Sequence, residues 1–149
     1  LCTASNNIMF RQVLSGWNSA MLSINHSPHR VVTSHLPPGI TTGLNLLGDI
    51  RITWPELDAL ICTSDEIACG CIMACHGAGV KVPDTLAVVS LSGGTLAAVC
   101  SPALTAVEFP WSATGTLAGQ TLLELLAGNP PEKTIELRKT LQLRASTKR

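Results

Sequence analysis

Hydrophobic positions along this chain change period several times, from helical spacing to continuous short runs and back. Between Asn7 and Ile24, the residues Phe10, Val13, Leu14, Trp17, Met21 and Ile24 recur three or four apart. That spacing predicts an amphipathic helix, with Asn6 or Asn7 as its N-cap. Pro28 interrupts the pattern, and residues 31–34 (VVTS) read as a short strand. After a turn at 36–39 (LPPG), Thr41 to Ile52 predicts a second helix with Leu44, Leu47 and Ile50 inward, stopped by Trp54-Pro55. Residues 59–63 (ALICT) suit a buried strand, and Ser64-Asp65 opens a helix that runs to about His76 and ends at Gly77 and Gly79. A strand at 86–91 (LAVVSL), a loop of Ser and Gly at 90–95 and a strand at 104–109 (LTAVEF) follow. Pro110 then opens a helix to about Ala127, Gly128 to Pro131 stops it, and two short strands near 134–137 and 139–143 complete the order.

Strands and helices alternating at this spacing predict an α/β fold, a parallel sheet with helices on both faces. Such sheets bind ligands at the carboxyl ends of their strands, which selects three loops: Ser34 to Gly39, Thr63 to Glu66 and Ser90 to Thr95.

Composition removes several functions. The 149 residues suit one domain or a piece of a larger one. Ten Lys plus Arg balance ten Asp plus Glu, whereas gripping a phosphate backbone requires a basic face, so nucleic acid is not expected to touch this region directly. Aromatic residues are 3% with no Tyr, too few for a base-stacking platform. Charged residues are 13%, roughly half the usual share, so part of the surface is expected to be covered by a partner. No apolar run approaches the ~18 residues of a membrane span, and no charged-then-apolar leader opens the chain.

Candidate chemistry is sparse. Ser64 and Asp65 sit where a strand feeds a helix; they either cap that helix or bind the hydroxyls of a polyol, or do both. The cysteines Cys2, Cys62, Cys69, Cys71, Cys75 and Cys100 interleave with Ile, Ala and Gly, so they read as small buried apolar residues in a reducing compartment. Within 69–76 (CGCIMACH), Cys71 and Cys75 share a helical stripe with Ile72, while Cys69, Met73 and His76 point elsewhere, so no tetrahedral metal site is expected. Ser92 follows a strand, but Ser90 occupies the position where a nucleophile elbow needs Gly. Phosphate-cradling glycine loops are absent, and His26, His29 and His35 read as solvated loop residues. No enzyme activity and no cofactor are expected. Five basic residues (Arg138, Lys139, Arg144, Lys148, Arg149) end the chain and read as a solvated, partly frayed tail.

Residues 55–70 (PELDALICTSDEIACG), 79–91 (GVKVPDTLAVVSL) and 102–107 (PALTAV), the stretch Gly115 to Gly128, and a late Arg144-Ala145-Ser146-Thr147 resemble the LacI/GalR family of repressors; the first stretch is most similar to the gluconate-type branch. The resemblance covers nearly the whole chain. It implies a periplasmic-binding-protein-like (type I) effector domain, mainly its C-terminal subdomain, residues 1–109 and 134–144. The helix at 110–128 would belong to the N-terminal subdomain, and a helix-turn-helix headpiece, through which operator DNA is read, would lie upstream.

By position in that family, Ser64, Asp65, Ser92, Trp111 and Arg11 become the effector-binding candidates; the resemblance implies that Ser64 touches ligand and that Asp65 also braces the strand ends. Ser92 stands where the family commonly has an Asp that grips sugar hydroxyls, and a neutral serine suits an anionic sugar acid, such as gluconate, better than a neutral sugar. Trp111 either stacks on an apolar sugar face or bridges helix and sheet in the core. Where the family usually has Arg, three residues before Gly16, this chain has Val13, and Arg11 is the substitute anion partner. Cys69, Met73 and Cys100 fall where the family's two-fold dimer forms. The expected protein is a cytoplasmic homodimeric regulator; the alternative is a periplasmic solute receptor of the same fold.

Overall fold

A computed structural model describes residues 2–3, 8–130 and 134–148. Its elements follow in the order β1 (Cys2–Thr3), α1 (Ile8–Ser23), β2 (Val32–Thr33), α2 (Ile40–Thr53), β3 (Ala59–Cys62), α3 (Asp65–Gly77), β4 (Ala87–Ser90), α4 (Thr95–Val99), β5 (Thr105–Glu108), α5 (Trp111–Leu126) and β6 (Thr140–Gln142). One six-stranded sheet has the order β2-β1-β3-β4-β5-β6. The first five strands are parallel; β6 runs antiparallel to β5, pairing Glu108 with Thr140. The sheet is therefore mixed, not wholly parallel: after α5 the chain comes back as an edge strand that runs opposite to β5. The N-cap expected at Asn6 or Asn7 lies outside the described residues.

Alternation along the central strands decides what the sheet faces. Leu60 and Cys62 of β3, and Val88 and Ser90 of β4, are buried, while their odd-numbered neighbours are exposed or half-buried. The buried set joins Leu47 and Ile50 of α2, Ile67, Ala68, Cys71, Ile72 and Cys75 of α3, Ala97 of α4, and Leu104 and Ala106 in one core. Burying branched side chains of this kind contributes ~1.5–3 kcal/mol each, so this layer dominates the stability. Elsewhere α1 lies more loosely, over a cavity of about 370 Å³ lined by Trp17, Met21, Trp54 and Ile61 among others.

Helices α2 and α3 pack backbone to backbone. A Cβ on Gly43 would lie 2.1 Å from the Ile67 carbonyl oxygen, and one on Gly70 would lie 2.1 Å from that of Ile40. The inward stripe of α2 is therefore Thr42, Gly43, Leu47 and Ile50. Leu44, expected inward, is turned aside and 38% exposed.

Three other expectations change. Residues 134–139 form no strand, because only 140–142 find a ladder partner on β5. The loop at 90–95 leads into the short helix α4, and the two residues of β1 form a central strand, neither of which the hydrophobic pattern indicated. Arg138, Lys139 and Lys148 are exposed, as expected of a solvated tail, but residues 144–147 are tied down. Ser146 is fully buried: its hydroxyl donates to the Val88 carbonyl (2.6 Å) and accepts the Thr105 N–H (2.8 Å), and its carbonyl accepts the Val88 N–H (3.1 Å). Arg144 donates to the Leu104 carbonyl at 2.8 Å and forms an ion pair with Glu108. The Ser146 bonds thus supply partners for backbone groups of Val88 and Thr105 beside the two-pair β4–β5 ladder.

Candidate effector site

The carboxyl ends of β2, β3, β4 and β5 lie along one edge of the sheet, and β6 begins there because it runs the other way. The three loops selected from the sequence all leave from this edge. Ser34, after β2, is buried, and its hydroxyl accepts the Leu36 N–H at 3.1 Å. Ser64 is the N-cap of α3, its hydroxyl accepting the Ile67 N–H at 3.3 Å.

Asp65 has a different task from Ser64. It is 3% exposed, and its carboxylate accepts from the Ser90 hydroxyl, from the Gly93 N–H (3.1 Å) and from the Gly94 N–H (2.6 Å). Its own N–H donates to the Ser92 hydroxyl at 3.0 Å, and the Ser92 N–H donates to Ser90 at 3.2 Å. A buried carboxylate needs such donors, since each unmet one costs on the order of 1–3 kcal/mol. The result is a rigid clamp between the loop after β3 and the loop after β4. Gly93 permits the second loop its course: it has φ +54, and a Cβ there would stand 2.5 Å from the Val107 carbonyl oxygen.

Of the sequence-derived candidates, the clamp brings Ser64, Asp65 and Ser92 together. Trp111 lies beyond the end of β5 and is 68% exposed, its ring 4.5 Å from that of Phe109. It is not a core residue bridging helix and sheet. Arg11 is exposed in the first turn of α1, the helix that follows β1, so topology sets it toward the same edge. Sequence reasoning missed Ser90, Gly93 and Gly94 as the partners of Asp65. It also missed the Phe109–Lys139 contact, in which the ammonium lies 5.6 Å from the ring centroid. The Ser-Gly-Gly run after a strand was the available signal for the first set.

The interface candidates differ in exposure. Met73 is 51% exposed on α3, Cys100 is half-buried at the end of α4, and Cys69 is 4% exposed. Burial first, then the adjoining Cys100 thiol and the nearby Asp65 and Glu66, push the Cys69 thiol up to about 12. Burial pushes Cys75 up to about 11, with Cys71 adding to it. Cys69, Cys71, Cys75 and Cys100 are free thiols, and Cys62 is buried in β3. Among the described residues no cluster of His, Cys, Asp and Glu has the arrangement of a metal site, and no helix is long and apolar enough to cross a membrane.

Comparison with known proteins gives this geometry a context. Residues 2–147 match the periplasmic binding protein-like domain. The HTH-type transcriptional regulator GntR of Escherichia coli K12 is 30% identical over 113 residues, which is 76% of this chain and 34% of that protein. The HTH-type transcriptional regulator IdnR of the same strain is 30% identical over 118 residues, 79% of this chain and 35% of that one. Among solved structures, a PurR family transcriptional regulator from Vibrio parahaemolyticus superposes with a TM-score of 0.91 at 31% identity, over 99% of this chain and 54% of that one. The chain thus spans about a third of the length of the two sequence relatives and about half of the solved one.

Proposed function

Because the chain belongs to the periplasmic binding protein-like family, among the regulators of LacI type, we propose that it is the effector-binding and dimerisation region of a transcriptional regulator whose effector is a sugar acid of the gluconate kind. The observation that carries the choice of effector is the fate of the one carboxylate in the clamp. Asp65 is consumed by three donors of its own chain, and the neighbouring position 92 is a neutral serine. The clamp therefore presents hydroxyls and leaves no carboxylate of its own free to repel an anion.

In this reading Ser64 and Ser92 contact effector hydroxyls, and Asp65 acts by holding their two loops at fixed separation. Trp111 offers an aromatic face, and Arg11 a positive charge. Helix α5, which has no buried residue, belongs to a second lobe that closes on the effector. No chemistry is done; the effector shifts the balance between two lobe arrangements by its differential affinity, and that shift reaches the operator-reading headpiece. Buried free thiols suit a cytoplasmic protein.

The test is calorimetry on the complete gene product with D-gluconate and L-idonate, followed by operator-release assays with whichever binds. Saturable one-to-one binding of an aldonate is expected. Absence of binding by both acids, in a sample shown to be folded, overturns the effector assignment.

A further inference from the structure

At the β5–β6 corner of the same edge lies a positive charge that the clamp does not use. Lys139 immediately precedes β6, whose Thr140 pairs with Glu108, so it stands beside the carboxyl end of β5. Its ammonium is 5.6 Å from the centroid of Phe109, and that ring packs on Trp111. A lysine lodged on an aromatic face has fewer positions open to it than one free in solvent. The adjacent carboxylate, Glu108, is already paired with Arg144 and does not neutralise it. Among the described residues Lys139 has no acidic partner. Only β5 lies between β6 and β4, so the two are separated by two strand spacings, about 10 Å. A six-carbon chain bound at Ser92 spans much of that gap, whereas Arg11 enters from the opposite side, beyond β3.

We infer that Lys139, seated on Phe109, is a specificity-determining residue that selects an anionic effector by placing a positive charge at the Trp111 side of the site. The inference rests on the effector reading above and deepens it by assigning the carboxylate end of the ligand to the β5–β6 corner. One charge at a solvent-exposed rim changes affinity by about fivefold at moderate salt.

Calorimetry with D-gluconate on the complete gene product tests it, comparing wild type with K139M, K139E and K139R, each first matched to wild type in thermal midpoint. Expected are a loss of about fivefold for K139M, a larger loss for K139E and wild-type affinity within twofold for K139R. The wild-type advantage should shrink as salt is raised. If wild type binds and K139M and K139E bind equally well, the assignment to Lys139 is overturned while the effector reading stands. If K139R loses as much as K139M, side-chain shape rather than charge is at work, and the assignment again fails. If wild type binds no aldonate, the effector reading falls and this assignment with it.

Discussion

A carboxylate closed off from water at a strand end survives only if donors surround it, and Asp65 finds its three donors at the end of β4 and in the loop after it, more than two dozen residues away. In D65N, one carboxylate oxygen becomes an NH₂ group that must face the N–H of Gly93 or Gly94, a donor against a donor. The charge assistance is lost as well. The expected cost is about 2–3 kcal/mol, read as a lower urea midpoint of the complete protein, with effector affinity falling because the two loops separate. An unchanged midpoint would remove the clamp from the account. Sequence alone placed Ser64, Asp65 and Ser92 on carboxyl-end loops. The family resemblance implied a bracing role for Asp65, but not its partners, because hydrogen-bond partners distant in sequence carry no local signature.

At the level of elements, the crossing of α2 over α3 depends on two residues without side chains. Gly43 and Gly70 meet there, each leaving no room for a Cβ, and the Cys71 thiol contacts the Gly43 carbonyl at 3.5 Å. G70A forces these backbones apart and should cost more than about 2 kcal/mol, in the range of overpacked cores. G48A, on the exposed side of α2 with nothing within 4 Å, should instead stabilise by ~0.5–1 kcal/mol by removing backbone freedom from the unfolded chain. Thermal denaturation of the two variants side by side checks both signs; equal shifts would contradict the close approach. Long helices and four-residue apolar strands were legible from periodicity. The two-residue strand β1 and the five-residue helix α4 were not, since neither is long enough to show a period. Leu44 was assigned inward because spacing gives a stripe but not its centre; the glycine contact sets the rotation of α2.

For the whole molecule, the large apolar residues left exposed lie on several elements. Met73 of α3 and Val99 of α4 are exposed, and α5 presents Leu122, Leu123, Leu125 and Leu126. Patches of this kind on a folded chain mark surfaces that meet other protein. On the proposed dimer, M73D puts a charge into an apolar contact and should convert a dimer of the complete protein at micromolar concentration into a monomer, measured by sedimentation equilibrium. A wild-type monomer under the same conditions would refute the two-fold interface. The sequence by itself determined the alternation of strands and helices, the loops at the carboxyl ends of the strands and the family, because each depends on local period, turn chemistry or motif spacing. Tertiary structure alone decided the antiparallel β6, the burial of Ser146, the Asp65 clamp and the seating of Lys139 on Phe109. All four join residues about 25 to 60 positions apart, and such pairings are fixed only when the chain closes on itself and every buried donor and acceptor must find a partner.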